Sequence, residues 1–182
     1  MGKRERLVAS ASELIHRNGV ATTTLAAVAQ AADVPPGNVY YYFKTKNELV
    51  SAVLASWAAQ FEAMLDTLAD ADTPQARLKT LVRSWDEMRE LVAQHGCPIG
   101  SLAAELDKAD GDLDREAARV LEMVVGWAEG QFAQLGRSDA RELAVTLVAA
   151  VQGAALLSSA FRDAELMRSQ VRRIERWIDS ID

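Results

Sequence analysis

Residues 37–49 read Gly-Asn-Val-Tyr-Tyr-Tyr-Phe-Lys-Thr-Lys-Asn-Glu-Leu. A helix buries one stripe, so four consecutive aromatics cannot all enter a core, and some of these rings face something else. Tyrosine hydroxyls, an asparagine amide and two lysines can all reach phosphate oxygens, and a tyrosine ring can pack on a thymine methyl. A glycine at the start of such a helix lets the backbone come close to base edges. Gly37, Asn38, Tyr40, Tyr41, Tyr42, Lys44 and Lys46 are therefore candidates for contact with double-stranded DNA.

A second group with chemical potential is His95-Gly96-Cys97-Pro98. Cys97 stands close to a predicted helix N-terminus, which stabilises a thiolate, with His95 two residues away. It reads either as a thiol that senses electrophiles or oxidants, or as a small buried hydrophobe in a helix break. It is the only cysteine, so there is no intrachain disulfide and no cysteine-cluster metal site. His95 and Cys97 have no acid at an orienting spacing, and there is no Gly-rich phosphate loop, metal motif or nucleophile elbow. The expectation is a non-enzyme without metal or cofactor.

The elements that must position these residues read at the helical period throughout, so the predicted fold class is all-α with nine or ten helices. Leu7, Ala11, Leu14 and Ile15 form a first stripe, and Asn18-Gly19 reads as its stop. Thr22-Thr23-Thr24 offers an N-cap to a short helix carrying Leu25, Val28, Ala29 and Ala32. After the turn Asp33-Val34-Pro35-Pro36, a third helix runs from about Pro36 to Phe43. Thr45 and Glu48 form a capping box that opens a long helix through Leu68. One helix is then predicted from Thr73-Pro74 with the stripe Leu78, Leu81, Val82, Trp85, Met88 and Val92. A break at His95–Gly100 precedes a short helix from about Ser101 to Lys108. A turn at Ala109–Asp112, two long helices (about 113–135 and 139–161) and an amphipathic helix carrying Met167 to Ile181 complete the chain.

Three short helices with a tight turn between the second and third are the helix-turn-helix arrangement, whose second helix enters the major groove. Val34, Val39 and Phe43 are then expected to point inward onto Leu14, Ile15, Leu25 and Val28. Charge distribution agrees. Residues 1–50 hold six Lys/Arg against four acids, whereas the rest holds fourteen against twenty-two. Arg4 and Arg6 read equally as a solvated first turn or as phosphate contacts.

Residues 5–50 resemble the DNA-binding head of the TetR/AcrR (tetracycline-repressor) family. The residues that carry the resemblance are Thr24, Val28-Ala29, Ala32-Asp33-Val34, Gly37, Tyr40 to Phe43, and Lys46 to Leu49. Asp33 stands where glycine is usual, and Pro36 where a polar or basic residue is common. The resemblance implies a DNA-facing set of Thr23, Thr24, Pro36, Gly37, Asn38, Tyr40, Tyr41, Tyr42, Lys44 and Lys46. It divides the chain into a helix-turn-helix DNA-binding domain, 1–47, and a ligand-binding and dimerisation domain, 48–182. Residues 95–106, His-Gly-Cys-Pro-Ile-Gly-Ser-Leu-Ala-Ala-Glu-Leu, are similar to a segment found in a subset of these regulators.

The family's bodies are helical bundles with an effector pocket and two long helices that pair subunits. The sequence supports pairing independently, because residues 143–161 are apolar on nearly every face, with Ala149, Ala150, Gly153 and Ala154 small enough for close helix approach. A homodimer through roughly 113–135 and 139–161 is expected. Candidate ligand-binding residues are Trp57, Phe61, Trp85, Met88, Cys97, Met123, Trp127 and Gln152, which suit an apolar, aromatic or thiol-reactive effector, although a stripe of Met and Trp also reads as core. No apolar run approaches a membrane span and no secretory h-region follows the N-terminus, so a cytoplasmic protein is expected. Together these readings describe a ligand-released repressor that binds a pseudo-palindromic operator as a dimer. The alternative is a helical ligand-binding or thiol-based sensor without operator binding.

Overall fold

A computed structural model describes residues 2–68, 73–107 and 112–181. The described residues form ten α-helices and no strands: α1 Lys3–Thr22, α2 Leu25–Ala31, α3 Pro36–Tyr42, α4 Lys46–Leu68, α5 Pro74–Glu87, α6 Arg89–His95, α7 Pro98–Leu106, α8 Leu113–Gln134, α9 Ala140–Phe161 and α10 Ala164–Asp179. The chain divides into two compact units, residues 1–60 with 101–120, and residues 61–100 with 121–182.

In the first unit, α2 packs on α1 and α3 packs on α2. The apolar faces of these helices supply Leu7, Val8, Ala11, Ile15, Val28, Ala29 and Val39, all buried. Val34 and Phe43 are buried as well, whereas Leu14 and Leu25 are only half-buried. Asp33 adopts φ 50°, the left-handed turn geometry that glycine would take most easily and that aspartate tolerates better than most residues. The start of α4 follows the capping logic closely. The Glu48 N–H donates to Thr45 Oγ1 at 3.1 Å, and the Glu48 carboxylate accepts the Lys44 N–H at 2.8 Å.

The expected break at Asn18-Gly19 is present: Gly19 takes the non-helical φ of 81° and ψ of 166°, which kinks α1 before one more helical turn through Thr22. One helix boundary in the first half of the chain differs from expectation. The single helix expected across Leu78 to Val92 is two helices, broken at Met88 (φ −95°, ψ 8°). There the Asp86 carbonyl accepts both the Met88 N–H and an Arg89 guanidinium N–H at 3.0 Å.

In the second unit, α10 packs on α5, α6 and α9, and α6 packs on α9. Leu78, Leu81, Val82 and Trp85 of α5 join Phe132 of α8, Leu147 and Val151 of α9, and Met167, Val171, Ile174 and Ile178 of α10 in one core. Trp177 meets Phe132 edge-on at 6.0 Å between ring centres. α7 begins at Pro98, three residues earlier than expected, so Gly100 lies inside a helix instead of interrupting one. A methyl group on Gly100 would fall on the side-chain oxygen of Gln152, so the glycine gives that side chain its room. The expected breaks at 69–72 and 109–111, and Lys108 at the end of the predicted short helix, lie outside the described residues.

Candidate nucleic-acid interface

The second and third helices present their polar ends on one surface. Thr24 caps α2, its hydroxyl accepting the Ala27 N–H at 3.1 Å, and is exposed. Pro36 and Gly37, both exposed, form the first turn of α3, where the prolyl ring is preset for a helix and lacks only an N–H that would go unpaired anyway. Tyr40 is 56% exposed and Tyr41 77%, whereas Asn38 and Tyr42 are half-buried. Tyr41 and Tyr42 meet edge to face at 5.1 Å between centres. Exposure leaves their rings in water while their hydroxyls stay free to hydrogen-bond outward.

Gly37 adds a second, independent sign. No atom lies within 4 Å of where its Cβ would sit, and its φ is not positive. A glycine in a helix costs about 0.5–1 kcal/mol relative to alanine. Nothing inside the protein requires that cost here, and the space beside Gly37 is open.

The lysines are placed but already engaged. Lys44 Nζ donates to the Tyr40 carbonyl at 2.7 Å, at the C-terminal end of α3, and Lys46 Nζ donates to the Ala21 carbonyl at 3.2 Å. Both remain partly open to solvent, and Lys44 lies against the exposed Tyr40. Arg4 lies over the Phe43 ring at 5.3 Å, a cation–π contact, and the Arg6 guanidinium donates to the Asp33 carbonyl at 3.4 Å. Beside Tyr42 and Phe43 an open groove of about 620 Å³ is lined further by Arg4, Asn47, Glu48, Ser51, Asp112, Leu113 and Glu116.

Thr23, expected in the DNA-facing set, is only 4% exposed, and its hydroxyl donates to the Gly19 carbonyl at 2.7 Å. Turned inward in this way, it shapes the turn. Burial of a threonine between two others is not readable from a run of three.

The candidate ligand residues do not form one group. Trp57 belongs to the first unit, where its indole N–H donates to Ser12 Oγ at 2.7 Å and ties α4 to α1. Met88 is 36% exposed at the α5–α6 break. Trp85 and Cys97 lie in the core of the second unit, with Phe61, Met123 and Trp127 packed against it. Gln152, half-buried on α9, points its amide Nε2 at Cys97 Sγ, 3.5 Å away. This contact across 55 residues is the one pairing that brings two of the candidates together through a polar atom.

A second exposed surface lies on α9. One side of this helix, Ala144, Leu147, Val151, Ala154 and Ala155, enters the core. The opposite side exposes Val145, Ala149, Gly153, Leu156 and Phe161, with Leu156 67% and Phe161 66% exposed. By length and composition alone α9 could cross a membrane, but its buried face places it in a core. Gly126 and Gly130 of α8 and Gly153 of α9 have nothing within 4 Å of an added Cβ. These glycines, like Gly37, lack an internal reason.

Comparison with known proteins matches two parts of the chain. Residues 7–53 match the description "Bacterial regulatory proteins, tetR family", and residues 74–173 match "Transcriptional regulator LmrA/YxaF-like, C-terminal domain". A regulator of the helix-turn-helix type from the lacX 3' region of Lactococcus lactis is 25% identical over 173 residues, covering 91% of this chain and 88% of that one. The transcriptional repressor DhaR of a Mycobacterium species is 28% identical over 170 residues, covering 89% and 85%. Among solved structures, a TetR transcriptional regulator from Legionella pneumophila superposes with a TM-score of 0.88 at 19% identity, covering 100% of this chain and 98% of that one.

Proposed function

The chain belongs to the TetR family of bacterial regulatory proteins, and from that premise we propose that it is an effector-released transcriptional repressor acting as a homodimer. Residues 1–47 bind the operator, and residues 48–182 bind the effector and pair the subunits. The observation that carries the DNA reading is the surface made by Gly37, Tyr40 and Tyr41: a helix start with unneeded space beside two exposed aromatic hydroxyls. Thr24, Pro36, Asn38, Tyr42, Lys44 and Lys46 surround it and supply backbone contacts that fix register, while the tyrosines reach bases. The protein works in the cytoplasm and performs no catalysis.

Pairing through α8 and α9 is supported by the apolar side of α9 and by the open glycines of both helices. Two heads held this way meet successive major grooves of a pseudo-palindromic operator. The effector enters the body among Trp85, Met123, Trp127, Gln152 and Cys97 and favours a state whose heads no longer match the operator, with α4 shifting. The coupling needed is about 1–3 kcal/mol.

The test is fluorescence anisotropy of the full chain with DNA from its own upstream intergenic region, across salt, beside a Tyr40→Ala/Lys46→Ala double variant. Tight, salt-sensitive binding over scrambled DNA, reduced about 100-fold in the variant, is the expected result. If no fragment from a genomic selection is preferred over scrambled DNA, the repressor reading falls.

A thiol-responsive effector class is favoured by one observation, the Gln152 amide directed at the buried Cys97, within the Gly96-Cys97-Pro98 stretch that opens α7. Electrophile challenge is expected to release wild-type protein from DNA and to leave Cys97→Ser bound. Equal release of both proteins assigns Cys97 to the core alone.

A further inference from the structure

The turn between α1 and α2 is held by a residue that is remote in sequence. Gly19 bends α1, and the helical turn that resumes at Val20 begins with N–H groups that have no helical acceptor. One carboxylate takes two of them: the Val20 N–H donates to Glu105 Oε2 at 2.9 Å, and the Ala21 N–H donates to Glu105 Oε1 at 2.8 Å. Glu105 lies on α7, 85 residues along the chain from Val20.

The approach depends on Gly19. A Cβ there would stand 2.9 Å from Glu105 Oε2, and the φ of 81° is one that side chains rarely adopt. On its other side Ala21 is held by Lys46, whose ammonium donates to the Ala21 carbonyl. Directly after this clamp come Thr23, bonded back to Gly19, and Thr24, the cap of α2. α2 in turn carries α3.

We infer that Glu105 is a positioning residue for DNA recognition: its carboxylate fixes where α2 begins, and with it the placement of Thr24, α3 and Lys46. This rests on the operator-binding reading above. Two charge-assisted bonds from one carboxylate are stronger than neutral ones and need both oxygens. Glutamine keeps the shape but has a single acceptor oxygen, and its NH2 would face the second N–H.

Electrostatics alone predicts the opposite effect on binding, which makes the inference testable. Removing a negative charge from a DNA-binding unit strengthens sequence-independent attraction to phosphate. Loss of positioning weakens only the fit to the right sequence.

The experiment uses full-length wild type, Glu105→Gln and Gly19→Ala. It measures amide exchange at Val20 and Ala21 in the free protein, then Kd for the operator selected by wild type and for scrambled DNA of equal length. Expected for both variants is exchange at the two amides accelerated at least about tenfold, with α9 amides unchanged, and operator affinity reduced about tenfold. Affinity for scrambled DNA stays equal or rises in Glu105→Gln. A merely structural loss of stability would lower both affinities together, and that result overturns the inference. So does operator affinity within twofold of wild type, or amide exchange that does not change. If wild type prefers no DNA, the recognition role falls with the operator reading, and the exchange data still report whether the clamp exists.

Discussion

Helices α3 and α9 both expose apolar surface that a monomer in water has no use for, and both carry a glycine whose missing side chain nothing inside the protein requires. They differ in what accompanies the exposed carbon. On α3 the rings carry hydroxyls and stand beside Lys44 and Lys46, so the surface combines flat apolar area with donors and positive charge. On α9 the exposed groups are Val145, Leu156, Leu157 and Phe161, separated by Ala149 and Gly153. Hydroxyls and lysines suit phosphate and base edges, whereas bare hydrocarbon with small residues between suits another helix of the same kind. Exposure is shared by the two surfaces, and the polar atoms beside it are what set them apart.

The largest effect is expected where hydrocarbon alone drives association. Leu156→Asp/Phe161→Asp places two charges on the exposed apolar side chains of the C-terminal half of α9. It is expected to weaken dimerisation by at least about 1000-fold, about 4 kcal/mol, since desolvating an unpaired charge in an apolar interface has no compensation. Sedimentation at micromolar concentration reads the change. The same variant should keep its thermal midpoint within a few degrees once monomer is compared with monomer, because both residues are exposed. A dimer that survives both charges moves the pairing surface elsewhere and dissolves the parallel with α3.

A middle-sized effect separates the two glycines. Gly37→Ala adds a methyl group to open space in α3, so the folded head gains about 0.5–1 kcal/mol from helix propensity. The same methyl intrudes where DNA approaches, and operator affinity is expected to fall about tenfold. Stability and function thus move in opposite directions, which a thermal melt and a binding isotherm on one sample will show. Higher stability with unchanged affinity would leave Gly37 without a role at the DNA.

How much of this was legible in the sequence follows from which contacts are local. The Thr45–Glu48 capping pair, the Pro36 helix start and the left-handed Asp33 are decided by neighbours three or four residues away, and each was readable. The break at Met88 was not, because the stripe from Leu78 to Val92 runs on without a breaker, and α6 takes its direction from packing on α9 and α10. Gly100 misled for the same reason: it was read as local punctuation, while the space it leaves is used by Gln152 from a distant part of the chain. Gly19 does break its helix as read, but the use that Glu105 makes of the space beside it was not legible. The bond from the Trp57 indole N–H to Ser12, 45 residues earlier, was likewise not legible. The exposed surface of Gly37, Tyr40 and Tyr41 was largely legible because it sits on one short helix next to its turn. The body was less so, since residues of α4, α5 and α8 meet only through tertiary packing.

The smallest expected effect concerns charge at the edge of the α8–α9 pair. Arg141 on α9 holds Glu122 of α8 at 2.9 Å and Glu129 at 3.3 Å. The hydrogen bond from Arg141 keeps the Glu122 carboxyl below its ordinary 4.5, and Arg137 does the same for Asp139, whose ordinary value is 3.8. A carboxyl with a depressed folded-state value contributes stability that is complete above its unfolded value and is lost as pH falls through the folded one. Stability from these groups is therefore present at neutral pH and declines below about pH 4.5 for Glu122 and below about 3.8 for Asp139. Both groups are solvent-exposed, so screening keeps the effect small. Thermal midpoints of wild type and Glu122→Gln should differ slightly at pH 7 and converge by pH 3, with the pH 7 difference shrinking in high salt. A difference that persists at pH 3 would show that Glu122 acts by packing. The α8–α9 surface would then depend on shape alone, in sharper contrast to an α3 surface whose binding is governed by salt.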